Sequence, residues 1–83
     1  MKVTLKLYAA LGQYLPPQAH KNEVDLDVEP GTTAADLLMR YNVPEGMCHL
    51  VLINGNFVPP SARETLTLQE GDALAAWPPV AGG

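Results

Sequence analysis

The sequence predicts an α+β domain, with one main helix packed across a sheet of four to five strands in the order β-β-α-β-β-β. Three observations carry this. Val3, Leu5 and Leu7, and later Val24, Leu26 and Val28, alternate with polar residues; one stripe of helical period runs from Ala34 to Tyr41; and an apolar run, Leu50 to Ile53, closes on Asn54-Gly55. With 83 residues, 47% hydrophobic and 17% charged, the chain has the composition of a folded protein and the length for a single core.

The first strand follows from Val3, Leu5 and Leu7, whose period of two puts them on one buried face. From Ala9 to Asn22 the alternation is lost in a loop containing Gly12 and Pro16-Pro17, where Leu11, Tyr14 and Leu15 can form one packed turn. A second strand carries Val24, Leu26 and Val28 on one face and Glu23, Asp25 and Asp27 on the other. Thr33 and Asp36 have capping-box spacing, so a helix starts there and presents Ala34, Leu37, Leu38 and Tyr41 to the sheet until Pro44 and Gly46 end it. Asn54-Gly55 suits a two-residue hairpin turn leading to a short return strand, Asn56-Phe57-Val58. Ser61 to Gln69 reads mostly as loop with Leu66 and Leu68 in the core. Gly71-Asp72 then turns the chain into a last strand, Ala73 to Trp77, which Pro78-Pro79 stops.

Side-chain chemistry is sparse. Nine acidic against five basic residues give a net charge of −4, which removes the basic footprint of nucleic-acid binding. Cys48 stands alone, excluding an internal disulfide and favouring a reducing compartment, and no apolar run suits a signal sequence or a membrane span. The expected location is the cytoplasm, with neither nucleic acid nor membrane as partner. Ser61, His20 and His49 lack any motif placing a nucleophile beside a base, and Cys48 and His49 are adjacent residues that point to opposite faces, so no metal site is expected. Cys48 reads as a small core residue. The carboxylates of Glu23, Asp25 and Asp27 sit ~7 Å apart on one strand face, either guarding an edge strand or steering a basic partner. Gly12 and Gly31 are isolated and form no phosphate-binding loop, so any nucleotide must come with a partner.

The segment Trp77-Pro78-Pro79-Val80-Ala81-Gly82-Gly83 is the informative one. Two terminal glycines occur by chance in about one chain in two hundred. The chain divides into a domain over residues 1–77 and an extended tail over 78–83. Pro78-Pro79 hold the tail extended, Gly82-Gly83 give it the narrowest backbone, and six residues reach at most ~20 Å, enough to thread a terminal carboxylate into another protein's pocket. Such a carboxylate is a poor electrophile until activated, typically as an acyl adenylate. Trp77 faces away from Leu74 and Ala76; it is either an exposed interface anchor or packed on its own sheet. Trp77 and Phe57 are the expected partner-interface residues.

These residues resemble the ubiquitin-like sulfur carriers, the family that contains the small subunit of molybdopterin synthase and the sulfur carrier of thiamine synthesis. The resemblance rests on Pro30-Gly31-Thr32-Thr33 with Leu37-Leu38, Val51-Leu52-Ile53-Asn54-Gly55, Leu68-x-x-Gly71-Asp72, and above all Trp77-Pro78-Pro79-Val80-x-Gly82-Gly83. The last is closer to the molybdopterin branch, because the thiamine branch lacks the Pro-Pro. It implies a β-grasp fold with a mixed sheet, the first and last strands adjacent and parallel at its centre.

It also implies a cycle. An ATP-dependent activating enzyme adenylates Gly83, sulfur replaces an oxygen to give a thiocarboxylate, and the sulfur is donated inside a larger subunit such as the molybdopterin synthase large subunit. Gly83 then carries the chemistry, while Gly82, Ala81, Val80, Pro79 and Pro78 thread into the partner. No cofactor is expected to be held by the chain itself; ATP belongs to the activating enzyme. Many small subunits carry an Arg-Glu segment after the first strand, where this chain reads Tyr8-Ala9-Ala10-Leu11-Gly12-Gln13-Tyr14-Leu15-Pro16-Pro17, which leaves room for a dedicated carrier serving another sulfur pathway, such as thiamine thiazole synthesis, or a tungsten/molybdenum enzyme cluster. A protein modifier that conjugates through Gly83, or a plain interaction module, is the alternative from another class.

Overall fold

The computed structural model describes residues 1–79. Strands β1 (Lys2–Leu7), β2 (Glu23–Asp27), β3 (Leu50–Ile53), β4 (Asn56–Phe57) and β5 (Ala73–Trp77) form one sheet in the order β2-β1-β5-β3-β4, with helix α1 (Ala34–Arg40) between β2 and β3 in sequence. β1 and β5 run parallel at the centre and the other pairs are antiparallel, as the resemblance implies for a β-grasp.

Alternation builds the core. Leu5 lies opposite Leu74 and Leu7 opposite Ala76, and Val51 pairs with Ala76 from the other side. These five residues are fully buried, and Leu37, Leu11 and Leu68 close over them. The intervening residues of the same strands, including Lys6, Ala75, Leu52 and Trp77, fall on the opposite face of the sheet.

The capping box at α1 forms in full: the Asp36 amide donates to Thr33 Oγ1 at 3.1 Å, and the Thr33 amide donates to Asp36 Oδ2 at 3.0 Å. The helix has about the two turns expected, but Asn42 ends it rather than Pro44 and Gly46. Asn42 adopts φ 62°, its amide donates to the Met39 carbonyl, and the Val43 amide donates to the Leu38 carbonyl, a Schellman closure that caps a helix of seven residues. Tyr41 accordingly caps the helix and is only partly buried.

The hairpin turn is as expected, with Asn54 and Gly55 at φ 51° and 83° and Ile53 paired with Asn56. Two segments depart from the sequence reading. Within the first, the packed turn expected from Leu11, Tyr14 and Leu15 does form, and it extends into a 3-10 helix over Ala9–Tyr14, more regular than a loop. In the 61–69 segment Leu68 is buried but Leu66 is 45% exposed, so Leu66 is no core residue; the buried side chain there is instead Arg63, only 7% exposed. Local pattern could not show this, because a segment without regular period has no sequence-defined inner face.

Candidate functional site

The site to be positioned is the end of β5. Trp77 is its last paired residue: it lies opposite Leu50, and its carbonyl accepts from the His49 amide at 3.0 Å. On the other side the Tyr8 amide donates to the Ala76 carbonyl at 3.1 Å. The strand end is therefore clamped from both neighbours. Pro78 and Pro79 offer no amide to continue either ladder, and the chain leaves the sheet there, with Pro78 half-buried and Pro79 exposed.

Trp77 is neither free nor fully covered. Its ring stacks on that of Tyr8, with 4.5 Å between centroids and 11° between planes, and it is half-buried on the face away from the helix. The exposed-anchor reading is corrected to that extent, and Tyr8 is the residue that sequence reasoning missed. Its only signal was its place at the end of the alternating strand, one step beyond Leu7.

Register extends this surface across the sheet. Leu52 pairs with Ala75 and with Phe57, so Trp77, Leu50, Leu52, Ala75 and Phe57 share one face, Leu50 and Phe57 being exposed and Phe57 the more so at 57%. Phe57 thus lies on the same apolar face as Trp77, separated from it by β3. At the far edge the acidic row is present on β2 but partly answered by β1. Lys2 Nζ is 3.1 Å from Asp27, Lys6 Nζ is 3.9 Å from Glu23, and Thr4 Oγ1 donates to Asp25 at 2.8 Å. These exposed pairs contribute little stability. They leave a face graded from acidic at β2, through the stacked aromatics, to apolar at β4.

The other side-chain candidates are scattered. His20 pairs with Glu23 at the β2 edge, His49 precedes β3, and Ser61 lies beyond β4 in an exposed turn. Among the described residues no three His, Cys, Asp or Glu side chains gather as metal ligands. Cys48 is buried, as a small core residue should be. Burial pushes its thiol above the ordinary range, the Arg63 charge pulling the other way and Glu45 adding to the rise. No helix of the described residues is long and apolar enough to cross a membrane. Val80, Ala81, Gly82 and Gly83, the rest of the expected tail, lie outside the described residues.

A mixed five-stranded sheet with one crossing helix, and a last strand that ends beside an apolar face, define a β-grasp protein of the ubiquitin-like kind. The pattern of the ThiS family matches residues 12–83, and the chain belongs to that family of ubiquitin-like sulfur carriers. SAMP1 from Haloferax volcanii superposes with a TM-score of 0.68 at 26% identity, covering 100% of both chains. The small archaeal modifier protein 1 from Methanosarcina acetivorans gives a TM-score of 0.68 at 22% identity, over 99% of this chain and 96% of that one. A chain in the complex of subunits 1 and 2 of molybdopterin-converting factor from Helicobacter pylori 26695 gives 0.62 at 17% identity, over 100% of both. The last two likenesses show the fold alone. No curated protein matches the chain.

Proposed function

We propose that this protein carries sulfur on Gly83. An activating enzyme joins the Gly83 carboxylate to AMP from ATP with loss of pyrophosphate; a sulfur nucleophile then displaces AMP and leaves a thiocarboxylate. The acceptor we favour is the pyranopterin precursor of the molybdenum or tungsten cofactor, with this chain as the small subunit of molybdopterin synthase and no catalytic role by itself. The single observation that supports this best is the family match reaching residue 83, through the ending Trp77-Pro78-Pro79-Val80-Ala81-Gly82-Gly83. The complex of the Helicobacter pylori subunits supports a larger-subunit partner, and the apolar face around Trp77 and Phe57 offers a surface for it. A carrier for thiazole synthesis would share the chemistry and differ only in its acceptor.

Intact-mass measurement after incubation with ATP, a cognate activating enzyme and a sulfur donor tests the proposal. The expected result is exchange of one oxygen for sulfur, lost when Gly83 is deleted. An unchanged mass, or loading that survives the deletion, overturns it. The likeness to SAMP1 at 26% identity favours one second reading, conjugation of Gly83 to lysine amines of other proteins. Isopeptide-linked adducts in cells, absent from the Gly83 deletion, are the result that reading requires.

A further inference from the structure

The side of the molecule that carries the helix has a feature of its own. A cavity of about 170 Å³ opens between α1 and the segments behind it. Ala35, Leu38 and Met39 from the helix line it together with Val43 and Cys48. Arg63 also lines it, held in place by Nη1, which donates to the Cys48 carbonyl at 2.8 Å, and by Nε, which donates to the Val58 carbonyl at 3.2 Å. Its third nitrogen, Nη2, is buried without a partner.

Size and charge limit what can enter. Small-molecule sites usually enclose ~300–1,000 Å³, whereas a void of about 150 Å³ takes one benzene-sized group. This cavity therefore accommodates a single apolar side chain. Met39, 72% exposed, supplies a flexible thioether that can close over it. The charged side chains exposed around the cavity are Glu45 and Glu64, and its one cation, Arg63, is buried. An incoming chain meets two carboxylates outside and, within, a mainly hydrocarbon lining whose polar part is the buried Arg63 guanidinium.

We infer that this cavity is a socket for one leucine- or methionine-sized side chain carried on a basic segment of a partner protein. The socket lies on the helix side of the sheet, and Trp77 and Phe57 lie on the other, so both surfaces can be occupied at once. The inference does not depend on chemistry at Gly83.

The test is a ¹⁵N–¹H titration of the full chain with acetyl-Lys-Arg-Leu-Arg-Lys-amide. Saturable shifts are expected at Ala35, Met39, Cys48 and Glu64. Replacing the peptide's leucine with alanine should weaken binding roughly tenfold, the effect of most of a buried aliphatic side chain. Flanking the leucine with glutamates should abolish it, and E45K/E64K, altered only at exposed positions, should weaken it about threefold to fivefold at low salt. Shifts centred on Glu23, Asp25 and Asp27 would show simple charge attraction and overturn the inference. Equal binding of the leucine and alanine peptides, equal binding of the acidic peptide, or no saturable shift would overturn it as well.

Discussion

The ring of Tyr8 lies almost flat on that of Trp77, 4.5 Å away, and joins the end of β1 to the end of β5 just before the prolines. Together with the bonds from the Tyr8 and His49 amides, the stack fixes the direction in which the chain leaves the sheet. Tyr8→Ala should therefore cost about 1–2 kcal/mol in urea unfolding, from lost stacking and buried area, while Tyr8→Phe stays within about 0.5 kcal/mol. If Tyr8 positions the tail, the alanine variant also loads sulfur more slowly than its lost stability explains, and the phenylalanine variant does not.

Phe57 tests the sheet face. It is exposed and its main neighbour is Leu52, so Phe57→Ala should cost less than about 1 kcal/mol in folding. Exposed aromatic anchors lose far more in binding, and a loss of about tenfold or greater in affinity for the larger partner subunit is expected by calorimetry. Unchanged affinity would remove Phe57 from the interface.

Arg63 should matter through its carbonyl partners. Arg63→Ala leaves the Cys48 and Val58 carbonyls without their charged donor in a buried site, and a loss of about 2–4 kcal/mol is expected by urea unfolding. Arg63→Lys should recover only part of this, because one ammonium cannot reproduce the fork that reaches two carbonyls.

Cys48 gives a pH dependence of definite sign. Its thiol is raised by burial, so between the unfolded and folded values the unfolded chain has released a proton that the folded chain still holds. The thiol's contribution to stability is complete below the unfolded thiol value and falls away as pH rises through the folded value. Denaturant midpoints should drop over that alkaline window and drop less in Cys48→Ala. Reaction with a thiol-specific disulfide reagent at neutral pH should be slow in the folded protein and fast in urea.

The cap of α1 is the last check. Thr33→Ala removes one bond of the reciprocal pair and should cost about 1 kcal/mol, lowering the melting temperature by roughly 4–8 °C for a chain of this size. The variant Thr33→Ser should restore most of it.

What the sequence revealed and what it hid follow from range. The capping box, the Asn54-Gly55 turn and the alternating strands are local, decided by residues a few positions apart, and each was legible. The residue that ends the helix was missed because Asn42 closes it through a left-handed conformation before Pro44 can act. The contact between Tyr8 and Trp77 joins opposite ends of the chain and exists only because β1 and β5 are neighbours, which no local period encodes. Leu66 is exposed and Arg63 buried in its segment because hydrophobicity alone cannot tell that two buried carbonyls await a guanidinium.

The central pairing of β1 with β5 has a consequence for biosynthesis. Among the described strands, β5 is the one that pairs with both β1 and β3, and it comes last in the sequence of strands. A nascent chain that stops before Ala73 lacks the strand that pairs with Leu5, Leu7 and Val51, which leaves β1 and β3 with open edges, and such edges are prone to aggregation. A finished sheet therefore contains β5, and a partner that grips the whole sheet contacts a chain built at least as far as Trp77, the threshold of the tail.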